Sequence, residues 1–210
     1  MNNFRPALLI ATVLLAGCAG SGSQTGSASQ STWWNPVSWS WSGLNPVNWF
    51  GSSLQIAEQG VGGVNGSTPL QQKAIEDGLK GQYTLRNGMR MVDGSVVSFW
   101  QALDDNKKVE MELSGRTTVK RIEVMDKDVA TDSGVKIGTR FSDLYSKAFE
   151  SCKKGTGADR DGVECRAPNS QHISYVFSGD WRGPEGLMPS DDTLKNWTVS
   201  KIIWHSQNAD

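Results

Sequence analysis

From Glu58 onward, apolar residues recur at two spacings, and the spacing of two dominates. Tyr83 to Met91 runs into Asp93-Gly94 and is followed by Val96 to Leu103. Two strand-like runs about an Asp-Gly pair predict a β-hairpin. Val109 to Leu113 and Val119 to Val124 alternate at period two and join through Gly115, which extends the hairpin into an antiparallel meander. Ile173, Tyr175 and Phe177 mark another strand, and Trp197 to Trp204 a final one. Two stretches carry helical spacing instead. Thr68 stands where an N-cap would, with Pro69 in the first turn and Gln71 at the capping-box position; Leu70, Ala74, Ile75 and Leu79 form one face, and Gly78 and Gly81 stop it. After Gly138, Thr139 is placed as a cap, and Phe141, Leu144, Tyr145, Ala148 and Phe149 form one stripe, predicting a helix over 141–149. The fold class that follows is mainly β: an antiparallel sheet or sandwich with one or two short helices packed on it.

The first 57 residues follow different rules. Ala7 to Ala16 is a ten-residue, mostly apolar run behind a single positive charge at Arg5. It is shorter than the roughly 20 residues a bilayer-spanning helix needs, and it fits a secretory signal. It ends in Leu15-Ala16-Gly17-Cys18, which looks like a bacterial lipobox. By similarity to lipoproteins in general, Cys18 becomes the acylated first residue of the mature chain, and several acyl chains make a lasting anchor. Ala19, in the position where Asp favours inner-membrane retention in enterobacterial lipoproteins, points to the outer membrane. The expected division is a signal peptide at 1–17, a lipidated tether with a Trp-rich segment at 18–51, and one β-rich domain at 52–206.

No charged residue occurs from Pro6 to Ala57, whereas all 22 acidic and 20 of the 21 basic residues lie from Glu58 onward. Residues 19–31 read as a flexible Gly/Ser-rich linker. Trp33, Trp34, Trp39, Trp41 and Trp49 then place five of nine tryptophans within 17 residues, around the tandem match Asn35-Pro36-Val37-Ser38-Trp39 and Asn45-Pro46-Val47-Asn48-Trp49. Indole has a large apolar body and one donor, so these rings suit the protein's own domain, a membrane interface or a partner groove, and all three remain open.

A net charge of −1 excludes the clustered basic footprint of a nucleic-acid binder. With Cys18 lipidated, Cys152 and Cys165 remain as an even pair in an oxidising compartment, which predicts a structural disulfide. Cys-x12-Cys has neither redox nor zinc spacing. His172 and His205 lack ligand spacing, with His205 in the expected frayed tail. Asp126, Asp128 and Asp132 depart from a calcium loop, and Gly60 to Gly66 departs from a dinucleotide fingerprint. No metal, cofactor or catalytic set is expected. Asp191-Asp192 after Ser190 reads as a helix or turn start. Trp181 and Arg182, in a Gly/Pro-shaped loop, are the remaining candidates for a recognition surface beside the Trp-rich segment.

Trp49 to Ser53, Gly134 to Phe149 and the run Trp181 to Trp204 resemble the enterobacterial sigma-E-regulated outer-membrane lipoprotein family, a domain family of unknown function. The resemblance implies a β-rich outer-membrane lipoprotein tied to envelope stress and supplies no catalytic residues. The expected function is a non-enzymatic, periplasm-facing lipoprotein that binds a protein or envelope component. The rivals are a tethered hydrolase inhibitor using Trp181 to Pro189, and a peptidoglycan- or lipid-active enzyme using Glu185, Asp191 or Asp192.

Overall fold

The computed structural model describes residues 54–92, 94–184 and 186–206. Among these, the strands are β1 (Gln55–Ala57), β2 (Gly60–Val61), β3 (Thr84–Val92), β4 (Ser95–Leu103), β5 (Val109–Gly115), β6 (Val119–Val124), β7 (Ala130–Thr131), β8 (Cys152–Lys154), β9 (Val163–Arg166), β10 (Ile173–Ser178) and β11 (Thr198–His205). The helices are α1 (Gln72–Gly78), α2 (Phe141–Leu144) and α3 (Asp191–Leu194), none of them long and apolar enough to cross a membrane.

Eight strands form one antiparallel sheet in the order β3-β4-β5-β6-β11-β10-β9-β8. It is two four-stranded meanders joined where β11 pairs with β6. Register puts one apolar row across it: Leu85, Ala102, Met111, Val124, Ile202, Tyr175, Cys165 and Cys152 face the same way on successive strands. Neighbouring Trp100, Leu113, Ile122, Trp204 and Ile173 make a parallel row. This inner face meets a second layer made of the small sheet β2-β1-β7 and the helices, through Leu54, Ile56, Val61, Ile75, Leu79, Phe141 and Leu194. Burial of these side chains, at roughly 1.5–3 kcal/mol each, holds the layers together. The chain is therefore mainly β, with its core on one side of the long sheet.

Between β5 and β6 the register shifts by a bulge at Gly115, where a Cβ would lie 2.0 Å from the carbonyl oxygen of Thr118. Only glycine fits that close approach.

Both predicted helices are shorter than their apolar spacing implies. Pro69 instead forms an isolated antiparallel bridge with Thr118, with Leu70 N–H donating to the Thr117 carbonyl (2.9 Å) and Val119 N–H donating to that of Thr68 (2.9 Å). The Thr68 hydroxyl oxygen accepts from Asn65 N–H, so it closes a turn and caps no helix; α1 begins at Gln72. The stripe from Phe141 to Phe149 holds a helix for four residues only, and Tyr145 is already extended at φ −135°, ψ 136°. Long-range contacts override the local pattern there. The Tyr145 hydroxyl donates to the Arg166 carbonyl at 2.6 Å, and Ala148 N–H donates to the Asp191 carboxylate at 2.8 Å. Phe149 is left exposed. Thr139 is likewise not a cap: its hydroxyl oxygen accepts from Lys136 N–H. His205 is not a frayed tail; it ends β11, half-buried opposite Arg121.

Candidate functional site

The β3–β4 hairpin runs nine residues a side without a register break, from Thr84↔Leu103 to Val92↔Ser95. At its base the inner face belongs to the core, through Leu85, Trp100 and Ala102. Toward the tip the second layer no longer covers it. Met89, Met91 and Val96 are 74%, 66% and 61% exposed, yet they continue the apolar rows of the core. Met91 lies directly opposite Val96, and Met89 opposite Ser98. From Leu85 to Met91 and from Val96 to Trp100, this face carries no charge. Exposed apolar side chains clustered at the margin of a core make this face a candidate contact surface.

The outer face of the same hairpin is polar and tied down. Arg86 donates to the Gln101 side-chain oxygen at 2.6 Å, and the Gln101 amide donates to Glu112 at 3.1 Å. Arg90 pairs with Glu112 and lies over the Phe99 ring, 5.1 Å from its centroid. Gly88 makes this possible, because a Cβ there would meet the Phe99 ring at 2.4 Å. Among the described residues β3 is an edge strand with an open backbone along its outward side, whereas the opposite edge is the three-residue β8. Cys152 on β8 faces Cys165 on β9 and is bonded to it, with Sγ atoms 2.05 Å apart.

The middle of the outer face holds an ion cluster. Lys201 on β11 reaches Glu123 on β6 at 2.7 Å and Asp159 at 2.8 Å, the latter carried by the 3-10 turn at Gly157–Asp159. Arg121 bonds Glu123 at 2.8 Å and approaches His205 Nε2 at 3.3 Å. Burial pushes the Glu123 carboxyl up, but hydrogen bonds from Lys201 and Arg121 outweigh it and hold it below the usual range. Burial likewise disfavours the Lys201 charge, and Asp159 and Glu123 overcome that. Burial, then the Arg121 charge, lowers His205. Ile203 and Val176 lie on this face and are buried under the cluster. Such a closed, mutually satisfied set acts as a structural clamp.

Trp181 is half-buried against the core with its ring over Gly183, where a Cβ would come within 2.0 Å of it. Its buried N–H has no acceptor among the described residues. A cavity of about 400 Å³ beside it is lined by Lys154, Arg160, Asp161, Gly179, Trp181, Gly183 and Gly186. Arg182 is exposed, as is Leu187. Asp191 accepts from the Ala148 amide, and Asp192 is solvent-facing beside Lys195. Asp126 accepts from the Tyr83 hydroxyl at 2.6 Å and from Asp128 N–H. Burial first, and then Asp126, push the Tyr83 hydroxyl far above its ordinary value. Among the described residues no group of three or more His, Cys, Asp or Glu is placed to hold a metal ion. Cys18, Trp33, Trp34, Trp39, Trp41, Trp49 and Glu185 lie outside the described residues.

The sequence reading missed the hairpin tip as a surface. Its signal was present: β3 reads Thr-Arg-Gly-Arg-Val on one face and Leu-Asn-Met-Met on the other. Alternation reveals which side chains share a face, but not where the covering layer stops.

Residues 38–206 match the family described as protein of unknown function, DUF1131. The chain belongs to that family. It is 60% identical over 165 residues to the uncharacterized protein YfeY of Escherichia coli strain K12, covering 78% of this chain and 86% of the relative. The crystal structure of the uncharacterized protein yfeY from Escherichia coli is similar at 58% identity and a TM-score of 0.67, covering 72% of this chain and 99% of that one. DUF1131 membership begins at residue 38, so Trp39, Trp41 and Trp49 fall within the family's own extent.

Proposed function

We propose that this DUF1131 protein is a lipid-anchored, non-enzymatic envelope protein, held by acylated Cys18 on the periplasmic face of the outer membrane. It binds a protein partner there under envelope stress. The observation that carries the binding role is the uncharged apolar face of the β3–β4 tip, with Met89, Met91 and Val96 exposed beside an open sheet edge. The lipobox-like Leu15-Ala16-Gly17-Cys18 supports the anchor. Asp191 is taken up by the Ala148 amide and Asp192 faces solvent beside Lys195, which favours binding over acid–base chemistry.

The test is photo-crosslinking from position 91 in intact, envelope-stressed cells, with position 73 on exposed α1 as the control. A discrete protein adduct from 91 and none from 73 is expected; lipid adducts alone, or none, would overturn the reading. Labelling with palmitate, lost in Cys18→Ser, tests the anchor separately.

A further inference from the structure

We propose that β3 captures an extended segment of a partner protein as a ninth strand of the large sheet, and that this segment is apolar on one face and acidic on the other. The inference rests on the hairpin being the docking surface and specifies how the surface is used.

The backbone argument comes first. Among the described residues β3 has one paired side, so about half of its N–H and C=O groups point outward along a nine-residue edge. Natural edges of this length are usually blunted by proline, a bulge, an inward charge or charged side chains along the strand, and of these β3 has only the outer-face arginines Arg86 and Arg90. β3 has no proline, its inward face is Leu85, Asn87, Met89 and Met91, and its register with β4 is unbroken. Shifts do occur in β4–β5, β5–β6 and β10–β11, so the regularity of β3 is not general to the sheet.

Side chains then select the occupant. Arg86 and Arg90 flank Gly88 on the outer face, and among the described residues only one carboxylate, Glu112, serves this pair, through Arg90. An incoming strand with acids opposite both arginines would complete the set, while its alternate residues cover Asn87, Met89 and Met91. The recognised pattern is acid–apolar–any–apolar–acid, with the central residue over Gly88 beside the Phe99 ring. A second copy of β3 would fit worse, because self-pairing gathers four arginines at one seam with two glutamates. A bilayer would cover the methionines but leave the edge amides and carbonyls without partners.

The test uses the full chain in nanodiscs and fluorescent decapeptides, one alternating Val and Glu, one alternating Val and Lys, and a Val/Glu peptide N-methylated on alternate amides. Anisotropy and amide hydrogen exchange are read together. The Val/Glu peptide is expected to bind, to slow exchange across 84–92, and to exceed Val/Lys by about tenfold or more. Arg86→Ala with Arg90→Ala is expected to erase that preference, and N-methylation to abolish binding. Equal binding of both charge types, or undiminished binding of the N-methylated peptide, overturns strand capture. So does protection of 84–92 that grows with protein concentration without peptide, which would indicate a second copy. Failure of all peptides while position 91 still crosslinks to a protein overturns strand capture alone. Failure of both overturns the docking reading as well.

Discussion

The indole N–H of Trp204 donates to the main-chain carbonyl of Glu58 at 3.0 Å, joining residues 146 positions apart. The His172 ring stacks on the same indole, 6.0 Å between centroids. One side chain at the centre of the long sheet thus pins the N-terminal layer to it. Trp204→Phe removes the bond and part of the packing, and is expected to cost about 2 kcal/mol. Urea unfolding with an unchanged slope checks it.

Lys201→Met leaves Asp159 without its cation and strips Glu123 of one of two. The three side chains are 12–20% exposed, so solvent screens them only in part, and the expected loss is about 2–3 kcal/mol. Because much of that loss is the stranded carboxylate, Asp159→Asn should recover some of it. A double-mutant cycle should return a coupling of about 1–2 kcal/mol; strict additivity would contradict the clamp.

The guanidinium of Arg121 only donates, so its 3.3 Å approach to His205 Nε2 favours the neutral imidazole over the charged one. Its folded pKa lies below the value near 6.5 of an unfolded histidine. The unfolded state therefore binds more protons between the two values, and this contribution to stability is present above about pH 6.5 and lost as pH falls toward the folded value. Stability measured in urea at pH 7.5 and 5.0 should drop less for His205→Gln than for the parent chain.

Reducing the Cys152–Cys165 bond frees a loop spanning 13 positions of sequence. Loop-closure entropy puts the loss at about 3 kcal/mol. At about 2–4 °C per kcal/mol for a domain of this size, Tm should fall by about 6–12 °C in the Cys152→Ser, Cys165→Ser double variant.

Met89 and Met111 lie on the same face of the sheet, one exposed and the other completely buried. Met89→Asp should leave stability within about 0.5 kcal/mol of the parent. Met111→Ala should cost about 2–5 kcal/mol. Comparable losses at both positions would mean the hairpin tip is covered by the chain itself.

Much of the sheet was legible in the chain because its strands alternate strongly. Val109 to Val124 and Thr84 to Leu103 declare both strand and partner, since each connection is short. Helices were less legible. Tyr145 sits in a helical stripe yet is drawn into extended geometry by the Arg166 carbonyl and the Phe177 ring, contacts no local window contains. β8, with two lysines in three residues, is a strand through its pairing with β9, where Cys152 is bonded to Cys165 and Lys153 pairs with Glu164. β1 and β2 lie in a glycine-rich stretch whose partner, β7, is some seventy residues away. The candidate surface escaped for a related reason: Met89 and Met91 carry the same alternation as buried residues, and only the extent of the overlying layer separates them.

The placement of β11 has a consequence for how the chain acquires its shape. Last among the described strands in sequence, it occupies the middle of the sheet, between β6 and β10. As the polypeptide is made, N-terminus first, the β3–β6 and β8–β10 strand sets each keep an open inner border until residues 198–205 arrive. Closure is then one late, long-range event, of the kind that is slow and leaves sticky borders exposed meanwhile. A chain cut short by even this one strand would lose not a margin but the seam, and its two halves would have nothing to hold them in register.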